Sequence, residues 1–157
     1  MDNLIIFCAK YLIFIIVLAV LLIWLKLSVK TRWQFAAAVC LAGIIAFGLS
    51  KITGALYYHP RPFVAQHIKP LISHGSDNGF PSEHTLLAMA LSTIVYYYRP
   101  RLAAGFFGLT LLVGIGRVLA HVHSPIDILG GLILGALAGW AGYQLAKKRL
   151  PIQKTSD

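Results

Sequence analysis

Five apolar runs, at residues 4–27, 33–57, 85–98, 102–119 and 126–146, fill most of this 157-residue chain and leave most of its charged residues to the short gaps between them. About 20 apolar residues cross a bilayer core as a helix, and the third run reaches that length only with flanking residues. The runs are continuously apolar rather than alternating, which selects helices over a β-barrel. The expected fold is all-α, a polytopic membrane bundle of about five transmembrane helices in one domain over residues 1–157. Composition agrees, with 58% hydrophobic and 12% charged residues and a mean hydropathy of +0.75. No internal repeat or low-complexity tract interrupts the pattern. Met1, Asp2 and Asn3 supply no basic leader, and no small-residue cleavage site follows the first run, so that run is expected to stay as a helix. Cys8 and Cys40 fall inside apolar runs without partners at metal-ligand spacing and read as packing residues.

A net charge of +9 would suggest nucleic acid in a soluble protein, but its distribution here points to a membrane. Lys26, at the very end of run one, joins Lys30 and Arg32 between runs one and two; Arg99 and Arg101 lie between three and four, and Lys147, Lys148, Arg149 and Lys154 after five. If each run crosses once, these gaps share one side, which the positive-inside rule makes cytoplasmic, with the N-terminus outside and the C-terminus inside. Every histidine falls on the other side, together with Lys51, Arg61, Glu83, Arg117 and Asp127. A polar site facing outward is the expectation. Trp24 and Trp33 at the inner interface, and Tyr57 and Tyr58 at the outer one, read as aromatic anchors.

Three clusters form that site. Arg61 lies between Pro60 and Pro62, which disfavour helix and present it on a stiff extended exit from run two, after Lys51. Ser82 follows Pro81 and opens run three with Glu83 and His84. It reads either as a helix cap or as a hydroxyl donor to an anion held by the free amides of the helix start. Ser124, Pro125 and Asp127 have the pattern of a capping box, on which Asp127 is structural. A second reading has Asp127 accept the Nδ1–H bond of His123, which would fix the tautomer and free Nε2 as a nucleophile. Arg117 can reach the same place, whereas His121 has the opposite phase. Cations, a helix N-terminus, an oriented histidine and a second histidine together suit phosphoryl transfer.

These residues resemble the type 2 phosphatidic acid phosphatase superfamily, whose motifs read K-x6-R-P, P-S-G-H and S-R-x5-H-x3-D. Arg117, His123 and Asp127 match the third, with Gly116 in place of serine; Pro81, Ser82 and His84 match the second, with Glu83 in place of glycine. Arg61 and Pro62 match the first, but position 54 is glycine, and Lys51 stands three residues earlier, about 4.5 Å along a helix. The likeness covers roughly residues 51–140. Glu83, with the segments at 57–63 and 77–81, is similar to bacitracin-resistance-type undecaprenyl diphosphate phosphatases.

The resemblance implies that His123 attacks the terminal phosphorus to form a phosphohistidine, oriented by Asp127, while His84 protonates the leaving group and later activates water. Lys51, Arg61, Ser82 and Arg117 would hold phosphoryl oxygens. Three parts for Glu83 stay open: pairing with Arg61 or Lys51, positioning His84, or favouring the helix dipole. No cofactor or metal is expected. The implied partners are an isoprenyl diphosphate lipid and the bilayer, not nucleic acid; the implied setting is a bacterial cytoplasmic membrane, with the lipid carrier recycled for cell-wall synthesis. Other readings are phosphatidylglycerophosphate or phosphatidate phosphatase, lipid phosphotransferase, and non-catalytic lipid-phosphate binding or transport. His67, Lys69 and His74 in the 63–80 loop are expected mainly to face water. The sequence carries no signal for oligomeric state.

Overall fold

The computed structural model describes residues 1–150 and is helical throughout its apolar runs. Helix α1 spans Asp2–Leu25, α2 Val29–Leu56, α4 Glu83–Tyr98, α5 Pro100–Leu119 and α6 Pro125–Arg149; one short turn of helix, α3, occupies Pro62–Ala65. Among the described residues, α1, α2, α5 and α6 are long and apolar enough to cross a membrane. The third run extends only back to Glu83, giving α4 16 residues, a length of about 24 Å against a bilayer core of about 30 Å. Its shortness is matched by its position. Thr85, Leu86, Ala88, Ala90, Leu91, Ser92, Ile94 and Val95 are all buried, so α4 is the protein-enclosed member of a multi-pass membrane bundle.

Small residues allow that enclosure. On α6, Gly131, Gly135 and Gly139 recur every four residues, and a Cβ on any of them would run into the backbone of α4 at Ser82, Leu86 or Ala90. Gly142 meets α2 in the same way, where a Cβ would lie 2.7 Å from Ala42 N and 2.8 Å from Ala38 O. Helices in lipid gain no hydrophobic drive from mutual contact, so close backbone approach through small residues supplies the packing. Large side chains such as Phe14, Leu18, Phe47 and Trp140 point outward, as a lipid-facing surface requires. Cys40 is on that outward face rather than in the core, because its phase on α2 is offset from Ala38 and Ala42, which carry the contact.

The two ends of the bundle differ. At one, Tyr98 donates to Gln34 Oε1 at 3.0 Å and Gln34 Nε2 to the Leu150 carbonyl at 2.6 Å, tying together the start of α2 and the ends of α4 and α6. This end carries Arg32, Arg99 and Lys147 to Arg149; Lys154 lies outside the described residues. At the other end α2 stops, α4 and α6 begin, and α5 gives way to a turn at 120–124. The long loop from Tyr57 to Ser82 folds over it. Asn78 fastens this loop: its amide donates to the Gly54 and Tyr57 carbonyls at 2.7 and 2.9 Å, and its Oδ1 accepts from His59 N and Phe80 N. Ile72 packs with Ala9, Ala120 and Val122, so the loop is held down onto α1 as well.

Candidate active site

The loop and the helix ends enclose a cavity of about 260 Å³ lined by Lys51, Arg61, His74, Asp77, Glu83, His84, Arg117 and His123, among others. The three clusters that lie far apart in sequence therefore meet. At the centre is His123, which is 3% exposed. Its Nδ1 lies 2.9 Å from the Gly79 carbonyl, and its Nε2 is 3.1 Å from Arg117 Nη2 and 3.2 Å from Arg61 Nη1. A carbonyl can only accept and a guanidinium can only donate, so the ring must carry its proton on Nδ1 and keep a lone pair on Nε2. Burial pushes the His123 pKa down to about 4; the nearby Asp127 opposes this, and the charges of Arg117 and Arg61 reinforce it. At neutral pH the Nε2 lone pair is available between two cations.

Asp127 departs from its expected position. The nearest acceptor for the His123 Nδ1–H is the Gly79 carbonyl; the Asp127 carboxylate stands 3.5 Å away, close enough for charge interaction but beyond a well-formed hydrogen bond. The reason is that this buried carboxylate has other partners. Oδ2 accepts the Ser124 amide at 2.8 Å within the expected capping box, and Oδ1 contacts His59 Nδ1 at 2.9 Å. His59 thus shares Asp127 with His123. His59 precedes the helix-disfavouring stretch at 60–62, and its pairing depends on a contact 68 residues away.

Arg61 is 5% exposed and is built into the loop. Its guanidinium donates to the Val122 and Asn78 carbonyls at 2.9 and 3.1 Å and to Asp77 Oδ1 at 3.1 Å. Burial raises the Asp77 pKa, but the hydrogen bond and charge of Arg61 outweigh this and hold the carboxyl below its usual range. Arg117 is less occupied. It donates to the Ala9 carbonyl at 3.3 Å and to His123, and its buried Nε finds no acceptor among the described residues. Of the five donors on a guanidinium, most of those on Arg117 are free for an incoming anion.

Lys51 lies at the cavity wall, and its Nζ is 3.1 Å from Glu83 Oε1, which also accepts from Ser50 at 3.2 Å. Of the parts left open for Glu83, the structure places it with Lys51. His84 lines the cavity beside them. Ser82 precedes α4 but is fully buried, with its hydroxyl 3.1 Å from Thr85 Oγ1 and no side-chain capping bond, so the cavity is walled by Pro81, Glu83 and His84 rather than by this hydroxyl. His121 is exposed, with a left-handed backbone at φ 62°, and does not line the cavity. His67 and Lys69 are exposed as expected. His74 is not: its ring stands edge-on to His123 with centroids 6.0 Å apart, and burial with the charges of Arg61 and Arg117 lowers its pKa.

Residues 31–151 match the PAP2 superfamily. The chain belongs to that family. As a member it is a multi-pass membrane lipid phosphatase, and α1 lies outside the matched range. Two Bacillus proteins are similar along nearly the whole chain. The bacitracin transport permease protein BcrC of Bacillus licheniformis is 30% identical over 94% of this chain and 73% of its own length. The undecaprenyl-diphosphatase BcrC of Bacillus subtilis (strain 168) is 29% identical over 93% of this chain and 75% of its own. The fold is also that of Aquifex aeolicus LpxE, whose crystal structure superposes with a TM-score of 0.66 over 90% of this chain and 82% of that one, at 20% identity.

Proposed function

We propose that this chain hydrolyses the terminal phosphate of an isoprenyl diphosphate lipid, undecaprenyl diphosphate above all, through a phosphohistidine on His123. The observation that carries the reading is the fixed tautomer of His123, with Nε2 held as an acceptor between Arg61 and Arg117. A lipid-phosphate carrier needs cations but gains nothing from a nucleophile prepared in this way. The two Bacillus relatives carry names of both kinds, a permease and a diphosphatase, and the His123 geometry favours the second.

In the proposed sequence, the guanidiniums of Arg61 and Arg117 turn from Nε2 to the oxygens of the terminal phosphate, with Lys51 completing the charge. Ser82 contributes by starting α4, whose first amides are free of helical partners and suit an anion. His123 Nε2 attacks the terminal phosphorus as the bond to the bridging oxygen breaks, and His84 gives that oxygen a proton, so lipid monophosphate leaves. The imidazole, now cationic, keeps its Nδ1–H on the Gly79 carbonyl, with the Asp127 charge 3.5 Å away. His84 then takes a proton from water, the resulting hydroxide attacks the phosphohistidine, and orthophosphate departs with His123 neutral again. Glu83 holds Lys51 in place. The basic residues at the opposite end of the bundle support an orientation in a bacterial cytoplasmic membrane with the site facing outward, where a spent cell-wall lipid carrier would be recycled. The whole chain acts as one membrane-embedded domain.

The test is phosphate release by the purified protein in detergent, with a chelator present, from undecaprenyl diphosphate and from phosphatidate. Release favouring the diphosphate, and lowered at least about 10³-fold by His123→Ala, is expected. Release that survives the substitution overturns the nucleophile, and faster release from phosphatidate overturns the substrate.

A further inference from the structure

We propose that α1 completes the site with a second phosphate position, in which Lys10 binds the phosphate that stays on the lipid. A cavity of about 500 Å³ lies beside the reactive one and is lined by Ile6, Lys10, Phe14, His74, His84 and Arg117 with residues 71–73 of the loop. It shares His74, His84 and Arg117 with the cavity around His123. A group in it would therefore sit next to a phosphate at the nucleophile.

Four observations mark this second cavity as built for an anion. Lys10 is a charged residue within an apolar helix, where ionisable side chains are costly. It rides on a π turn, Phe7–Tyr11, the only such turn among the described residues, and π turns commonly interrupt helices at functional sites. Arg117, 2% exposed, donates to the Ala9 carbonyl of this turn at 3.3 Å, yet its buried Nε finds no acceptor among the described residues. His74 Nδ1, at the same wall, is buried and makes no hydrogen bond among the described residues, with Asp77 Oδ1 3.9 Å away.

The packing of the π turn also accounts for a departure from the family pattern. The third motif usually begins with serine, and this chain has Gly116. A Cβ at 116 would lie 2.8 Å from Ala9 N and from Cys8 Cβ, so α1 occupies the space that side chain would fill. A lysine one or two turns inside an apolar helix can reach the interface by snorkelling, and Lys10 Nζ does lie over the Tyr11 ring at 5.3 Å. Snorkelling leaves unexplained why the turn that bears it is pressed against Gly116 and Arg117. An anion between Lys10 and Arg117 explains both, and Ile6 and Phe14 then offer the apolar wall along which an isoprenyl tail leaves.

The inference rests on the diphosphate reading, and its test is separable from it. Calorimetric titration of the full-length protein in nanodiscs would compare methylenediphosphonate, whose P–C–P link resists hydrolysis, with orthophosphate. Lys10→Met is expected to weaken diphosphonate binding about tenfold, the effect of one charge-assisted hydrogen bond, and orthophosphate binding less than threefold. Lys10→Arg should keep diphosphonate binding within about threefold of wild type. Equal losses for both anions, no loss for either, or an Arg variant as weak as the Met variant would overturn the assignment. If the wild type binds the diphosphonate through Lys10 but releases no phosphate from lipid diphosphates, the proposed function fails while the second phosphate position stands.

Discussion

Replacing Gly116 with serine, the residue more usual at that point of the motif, should damage this protein. The new Cβ would stand 2.8 Å from Ala9 N and Cys8 Cβ and 3.0 Å from the Cys8 carbonyl carbon. Ordinary contacts need about 3.5 Å or more, so α1 must retreat by roughly 0.7 Å. Two of the three obstructing atoms are backbone, which a rotamer change cannot move. Overpacking of this kind costs about 1–3 kcal/mol. The retreat also stretches the 3.3 Å bond from Arg117 to the Ala9 carbonyl past hydrogen-bonding range, leaving a second guanidinium nitrogen of Arg117 without an acceptor among the described residues. A net loss of about 2 kcal/mol corresponds to a fall in melting temperature of roughly 4–8 °C, and misplacement of Arg117 should cost phosphate release as well. Near-UV circular dichroism melts in detergent, paired with initial rates, would read both. Gly108→Ser is the control, since a Cβ there meets nothing within 4 Å. A Gly116→Ser protein that melts within 1 °C of the control and turns over equally fast would refute the claim that α1 is seated against the site.

His59→Phe removes the partner of Asp127 Oδ1 and leaves a buried acceptor unsatisfied, at about 1–3 kcal/mol; kcat should fall with KM little changed, and His59→Asn should recover part of the loss if a donor to Asp127 is what matters. Unchanged kcat in His59→Phe would remove His59 from the site. Ring-labelled NMR should show His123 staying neutral well below pH 6, because its pKa is lowered from 6.5 to about 4 by burial. The folded pKa is the lower one, so between pH 6.5 and 4 the unfolded chain binds the proton and the folded chain does not. Stability should decline across that window by about 1.4 kcal/mol per pH unit from this group alone. A titration of His123 near pH 6.5 would contradict the buried environment.

Much of this was legible because the constraints were local. Apolar runs, basic gaps and capping patterns are written in consecutive residues, and they placed the helices and brought Arg61, His84, Arg117 and His123 to one end. What escaped depended on contacts between distant segments or on the backbone. The acceptor for His123 is the Gly79 carbonyl, and a carbonyl has no signature in residue type. His59 carries no mark of its partner in the residues around it, since only the fold brings it to Asp127. His74 was expected in water because loop composition does not reveal which face of a loop is pressed down. Ser82 has the right position for a donor but its hydroxyl turns inward to Thr85. Lys10 stands out in the sequence as a lysine inside an apolar run, but the cavity that it lines is formed by segments far from it in the chain.

The most direct measurement of the central claim is to trap the phosphoenzyme. Protein mixed with isoprenyl diphosphate labelled with ³²P at the terminal phosphate, then quenched in alkali within milliseconds, should carry label that is stable to base, labile to acid and located by mass spectrometry on His123 Nε2. Label on another residue, or full phosphate release by a His123→Ala protein, would contradict the account.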